Sequence, residues 1–211
     1  MKTTILFTTM LLSAGGLMLN NSGVEKESNF YNTANRITKT VAAAKRMSSN
    51  PVAPMYIIID KRKYELSVYD AQGWFATYPV VFGNNTLDDK KMEGDRNTPE
   101  GSFKINAKRP HPKWNRFMCL DYPNEQSLVK FNTRKQRGEI PAYARPGGSI
   151  GIHGTWPNDD FVVDKYKNWT EGCISLKNRD VQDLYSYIPV GTPVTIRKWE
   201  HVKRQSWNVN K

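Results

Sequence analysis

From residue 55 onward, apolar and polar positions alternate in short runs. The runs 55–60 (MYIIID) and 64–69 (YELSVY) are rich in β-branched and aromatic residues and are joined by Lys61, Arg62 and Lys63, which predicts a hairpin. Residues 70–73 (DAQG) read as a turn and 74–82 (WFATYPVVF) as the next strand. Strand-length runs recur at 101–107 (GSFKINA), 117–122 (FMCLDY), 148–153 (GSIGIH) and 193–197 (PVTIR), with a short strand or turn after residue 173. Helical spacing is limited to two places. Residues 124–137 carry Leu128, Val129 and Phe131 as apolar points, with Gly138 as a stop and Arg134, Lys135 and Arg137 as a solvated face. Residues 179–187 follow Asn178, a residue suited to an N-cap, with Asp180 in the first turn. Roughly seven or eight strands against two or three helices predict a mainly β domain.

Upstream of this pattern the chain changes character twice. Residues 24–50 are polar with few large apolar side chains, and read as a helix over 34–47 or as a spacer that Pro51 and Pro54 end. Residues 4–19 are mostly apolar after the basic start Met1-Lys2, and Asn20, Asn21 and Ser22 terminate them. That run is short for a membrane span and sits where the apolar core of a signal peptide sits. The expected organisation is therefore a signal peptide or N-terminal anchor at 1–22, a polar spacer at 23–54, one folded domain at 55–198 and a basic polar tail at 199–211. Export places the protein in the periplasm or cell envelope, with membrane contact only through the N-terminal segment if it is uncleaved.

Composition narrows the partners. Of the 211 residues, 38% are hydrophobic and 11% aromatic, enough for a core, so disorder over the bulk of the chain is excluded. The net charge of +11 favours anionic partners, and export selects membrane surface and acidic wall polymers over nucleic acid; solubility alone is the alternative use of the charge. His111, His153 and His201 are widely separated and no H-x-x-x-H or C-x-x-C spacing occurs, so neither a metal nor a cofactor is expected. Cys119 and Cys173 are the two cysteines, and in an exported chain they are also compatible with one disulfide.

Two short segments bear chemistry together. His153 ends an apolar strand after Gly147, Gly148 and Gly151, and Cys173 follows Gly172 twenty positions later. Each alone reads as structural; together they suit a nucleophile and its base. An imidazole in reach of a thiol can take its proton and favour a thiolate–imidazolium pair. The amides of Gly172 and Cys173 are candidates for stabilising a developing oxyanion. The group that orients the imidazole is not visible as an Asp or Asn, and a backbone carbonyl serves equally well.

The segments HGT at 153–155, TEGCISLKN at 170–178 and VGTPVTI at 190–196 resemble the catalytic domain of L,D-transpeptidases of the YkuD type. The upstream stretches YPVVFG at 78–83 and EGDRNTPEG at 93–101 resemble that family's strand and its T-P-x-G loop, so the likeness spans about residues 55–198. The resemblance implies a β-sandwich-like fold with a groove over the cysteine. It also implies attack of Cys173 on the L,D-peptide bond before the terminal D-Ala of a peptidoglycan tetrapeptide stem. A thioester then passes its acyl group to an amine, cross-linking stems or attaching a protein to the wall. Cys173 would be the nucleophile and His153 the general base, with the Gly172 amide in the oxyanion site and Gly154 and Thr155 beside the substrate. Many members carry Arg two residues after the cysteine; here that residue is Ser175, which marks a distinct branch and leaves Arg96 or Arg145 to supply the missing charge. Cys119, among Phe117, Met118 and Leu120, is expected to be a buried, inert thiol.

Two further segments stay open. Residues 108–114 (KRPHPKW) read as a surface loop or as a grip on a glycan or acidic polymer. Asp159, Asp160 and Asp164 read as a solvated lid over the groove, or as a ligand for the acceptor amine. A transpeptidase is the leading reading. An L,D-carboxypeptidase or amidase uses the same acyl-enzyme, and a silent wall-binding module would tolerate loss of Cys173.

Overall fold

A computed structural model of the chain describes residues 42–46 and 50–199. The leader, most of the spacer and the C-terminal tail lie outside the described residues. The described residues all fall within one compact unit.

Among the described residues the strands are β1 (Ala44–Lys45), β2 (Tyr56–Asp60), β3 (Glu65–Asp70), β4 (Gly73–Pro79), β5 (Gly101–His111), β6 (Asn115–Leu120), β7 (Gly151–His153), β8 (Ile174–Ser175) and β9 (Pro193–Arg197). Their spatial order is β1-β4-β3-β2-β9-β5-β6-β7-β8. The mainly β, sandwich-like architecture expected from the sequence is present. β5 belongs to two sheets: Gly101–Lys104 pair with β9, and after a bulge between Ile105 and Ala107 the strand pairs with β6. On the far side Val81, just beyond β4, exchanges two 2.9 Å hydrogen bonds with Ser175 of β8. The two sheets are thus joined at β5 and again beside residue 175.

Period-two burial explains the strands. Ile57 and Ile59, Leu66 and Val68, Phe103 and Ile105, Met118 and Leu120, and Val194 and Ile196 all face one core. Ile150, Ile152, Ile174 and Leu176 extend that core beneath the site, and helix α3 closes it with Val181 and Leu184. Truncating a side chain such as Leu184 to Ala costs about 2–5 kcal/mol.

Among the described residues the helices are α1 (Glu125–Gln136), α2 (Phe161–Asp164) and α3 (Asn178–Tyr187). α1 follows its prediction closely, with the Asn124 side chain accepting from the Ser127 amide at 3.1 Å. Its basic face is not uniformly solvated: Arg134 pairs with Asp89 at 2.8 Å and donates to the Lys90 carbonyl. Asn178 is the first helical residue of α3 rather than its cap, and the capping acceptor is Asp160, whose Oδ1 receives the Asn178 amide at 2.9 Å.

Two segments differ from the sequence expectation. Ala44 and Lys45, placed in a possible helix, form a two-residue edge strand on β4. The predicted loop at 108–114 is largely strand: β5 runs to His111 and returns as β6, with Arg109 opposite Phe117. Pro110 conceals this, yet it is tolerated because β9 ends opposite Lys104, so β5 has a neighbour on one side only there.

Candidate active site

Strand register builds the floor of the site. One row crosses β5 to β8 as Arg109, Phe117, His153 and Ser175. The adjacent row on the same face, two residues along, holds Ala107, Cys119 and Gly151, and extending the β7–β8 register by one residue sets Cys173 opposite Gly151. Residues of neighbouring rows two apart share a face, so the Cys173 and His153 side chains emerge on the same side while Ile152 and Ile174 enter the core.

Above this floor lies a cleft of about 510 Å3, lined by His153 and Cys173 and walled by Trp114, Trp156 and Trp169. That volume is in the range of small-molecule sites. His153 is enclosed by aromatic rings: Trp114 stacks on it at 4.5 Å, Phe117 at 5.6 Å, and Trp169 meets it edge-on at 5.6 Å. This aromatic jacket was not foreseen. Its tryptophans lie singly at the margins of three segments, and no local spacing links them.

The jacket has an electrostatic consequence. Burial holds the imidazole well below the ordinary histidine value, at about 4, although its hydrogen bond to Gly154 works the other way. That bond is 2.7 Å from Nδ1 to the Gly154 carbonyl oxygen. A carbonyl only accepts, so Nδ1 carries the proton and Nε2 is left as the basic atom. The orienting group is therefore a backbone carbonyl.

Cys173 is half-buried and its thiol donates to the Ser149 carbonyl at 3.4 Å. Ser149 has φ 57, a left-handed conformation uncommon outside glycine. Burial pushes the thiol up to about 11, against the favourable backbone contact from Gly151. Burial thus favours the neutral form of each group, raising the thiol and lowering the imidazole.

A disulfide is excluded in this arrangement. Cys119 and Cys173 are both free. They flank Gly151 two strands apart, roughly 9.5 Å by strand spacing, beyond the ~7 Å that a disulfide tolerates. Cys119 is half-buried on the cleft side of β6 rather than wholly enclosed.

The remaining candidates separate. Gly172 is buried with φ 134, and a Cβ there would meet the Asn97 carbonyl oxygen at 2.9 Å, so a side chain is sterically barred. Its amide donates to Thr170 Oγ1 at 3.1 Å and is not free for an oxyanion; the Cys173 amide makes no hydrogen bond among the described residues. Ser175 is fully buried, with Oγ 3.4 Å from the Gly154 carbonyl oxygen, and offers no surface to a substrate. Gly154 and Thr155 are likewise enclosed; Thr155 donates to Asp160 at 2.5 Å. Arg145 is exposed outside the cleft lining, and Arg96 reaches the cleft only through Glu171, at 3.2 Å.

Several features support the site from behind. The upstream T-P-x-G loop holds Gly83 through Thr98 Oγ1 at 3.0 Å, and the fully buried Lys61 binds the carbonyls of Asp88 and Thr98, each at 2.8 Å. Asp160 and Asp164 are not a solvated lid: the first binds Thr155 and Asn178, and the second pairs with Lys177 at 2.5 Å.

Comparison with known proteins agrees with this geometry. The model of the YkuD family, described as L,D-transpeptidase catalytic domain, matches residues 54–196. The chain is 30% identical over 155 residues to "Putative L,D-transpeptidase YqjB" of Bacillus subtilis (strain 168), covering 71% of this chain and 76% of that one. Among solved structures, it resembles the helical cell shape determining protein Pgp2 of Campylobacter jejuni, with a TM-score of 0.50 and 22% identity over 82% of this chain and 56% of the other. An L,D-transpeptidase of Xylanimonas cellulosilytica matches at a TM-score of 0.45 and 18% identity, over 72% of this chain and 63% of that chain. The chain thus spans little more than half the length of the solved structures it matches. With Cys173 and His153 in adjacent rows of one cleft, and the family model covering most of the described fold, the chain belongs to the YkuD family of L,D-transpeptidase catalytic domains.

Proposed function

We propose that the protein is an exported cysteine acyltransferase that rebuilds peptidoglycan stem peptides. One observation carries this reading: Cys173 stands in a cleft beside a histidine whose Nδ1 proton is given to Gly154, leaving Nε2 as the base. The family assignment supports a peptidoglycan-modifying role. The apolar leader and basic charge support action in the periplasm or cell envelope.

The proposed reaction has two halves. As Cys173 Sγ attacks the carbonyl before the terminal D-Ala, the thiol proton passes to His153 Nε2. A carbon–sulfur bond forms, and the carbonyl oxygen takes the negative charge opposite the Cys173 amide. Collapse breaks the carbon–nitrogen bond, and the imidazolium returns its proton to the departing D-Ala amine. An amine of a neighbouring stem, or of a wall-attached protein, then attacks the thioester; His153 takes its proton and returns it to the sulfur. Concerted transfer suits this desolvated pair, because the thiol gives up its proton only as the carbon–sulfur bond forms and no free thiolate has to be buried.

Incubation with muropeptides, followed by mass spectrometry, tests this. Cross-linked dimers formed by the native chain and not by Cys173→Ala are expected. Loss of D-Ala without dimers assigns a carboxypeptidase, and no Cys173-dependent product overturns enzymatic function in favour of a wall-binding module.

A further inference from the structure

The cleft has a second pole. Arg109 on β5 stands in the same row as Phe117 and His153, so its side chain shares their face. Its guanidinium carbon lies 5.4 Å from the centroid of the Phe117 ring, leaning inward from the rim. It is exposed, and among the described residues it is the one Lys or Arg in the cleft lining. Among the described residues it enters no ion pair or hydrogen bond. Glu171, the one carboxylate in that lining, is paired with Arg96. The uncompensated charge facing the cleft is therefore positive, fixed over an aromatic ring and shaped as a fork.

We propose that Arg109 anchors a carboxylate of the acyl donor while Cys173 attacks its carbonyl. This rests on the acyl-donor reading above and adds the group that positions the donor. From the Phe117 column to Cys173 is two strand spacings across and one two-residue step along, roughly 10–12 Å. Allowing for contact distance at each end, the carboxylate lies about one or two residues from the scissile carbonyl. Two sources fit: the terminal carboxylate of the departing D-Ala, and an acidic residue on the acyl side. Guanidinium suits either because its fork makes two parallel bonds to one carboxylate. Ser175 is enclosed and uncharged and cannot share this task.

Binding, not turnover, tests the proposal. The full chain with Cys173→Ala is titrated by calorimetry with an acidic tetrapeptide ending in D-Ala. Two mono-amides of that peptide follow, one blocked at the terminal carboxylate and one at the upstream carboxylate. Adding Arg109→Gln should weaken the free-acid peptide by about 10- to 100-fold, and Arg109→Lys by less. One mono-amide should bind the Arg109 protein as weakly as the Gln variant binds the free acid, and be indifferent to the substitution; that peptide identifies the carboxylate. Equal affinities with Arg and Gln at 109 for all three peptides, or no binding of any peptide to the Arg109 protein, overturns it. Failure of the acyltransferase reading is separate, since it appears as absence of a thioester on the native chain.

Discussion

His153 donates its Nδ1 proton to the carbonyl of Gly154, the next residue in the chain, at 2.7 Å. The imidazole is oriented by its own backbone, so no acidic partner is needed and no charge offsets its burial. Stacking by Trp114 and Phe117 completes an environment in which imidazolium is disfavoured. The same low-polarity surroundings act on Cys173 in the opposite sense, and burial favours the neutral form of both groups.

Alkylation of Cys173 should report this directly. With the thiol at about 11 and the imidazole at about 4, the thiolate fraction rises tenfold with each pH unit through the neutral and mildly alkaline range. Iodoacetamide rates on the native chain should keep rising beyond pH 9, with Cys119→Ser removing the second thiol. A plateau near neutrality would reveal a resting ion pair.

Acid stability should carry the signature of His153. Its folded value of about 4 lies below the ordinary 6.5, so between these values the unfolded chain binds more protons. The contribution is fully present above pH 6.5 and is lost as pH falls towards 4, amounting to about 3 kcal/mol at most. Urea midpoints measured from pH 7 to 4 should fall for the native chain, and fall less for His153→Gln.

Under the proposed function, Gly172→Ala should suppress acyl-enzyme formation through position. The new Cβ would lie 2.9 Å from the Asn97 carbonyl oxygen and 3.1 Å from Ile150, on a backbone with φ 134. Relief requires moving residue 172, and Cys173 with it. Backbone strain of this kind costs about 1–3 kcal/mol, and a displaced nucleophile about 100-fold in rate. Acyl-enzyme formation with a carbapenem measures the second effect. Gly83→Ala, with a Cβ 2.1 Å from the Arg96 carbonyl oxygen, should be harsher in thermal stability.

These contacts show why some of the site was legible and some was not. His153 stands out between Gly151 and Gly154, and Cys173 after Gly172, glycines that close approach demands, and the strand alternation around them fixes which way they point. The mainly β class followed from period-two burial at pairs such as Ile57 and Ile59. The segment with Arg109 and Trp114 stays open in the sequence between surface loop and polymer grip, because Pro110 and Pro112 interrupt the strand pattern and edge pairing that tolerates proline leaves no local trace. Arg96 and Arg145 were plausible by sequence proximity to motifs. Only strand order decides which arginine reaches the floor of the cleft.

Asp160 provides the last test, because it connects the aromatic wall to α3. One oxygen, Oδ1, accepts from Thr155 Oγ1 at 2.5 Å, the Asn178 amide at 2.9 Å and Asn178 Nδ2 at 3.2 Å. Asn178 Nδ2 also bonds the Trp156 carbonyl at 3.2 Å, so the turn after His153-Gly154 is tied to the helix start through this carboxylate. Asp160→Ala strands two donors, the Thr155 hydroxyl and the Asn178 amide, since Asn178 Nδ2 keeps Thr155 Oγ1 and the Trp156 carbonyl, and it leaves the positive end of α3 without its anion, an expected loss of about 2–3 kcal/mol. Asp160→Asn keeps an acceptor in place and should cost less than half of that. If Asp160 instead held the acceptor amine, Asp160→Asn would leave the urea midpoint unchanged and abolish cross-linking while thioester formation persisted. The structural role predicts the reverse: stability and thioester formation decline together in Asp160→Ala, and Asp160→Asn retains most of both.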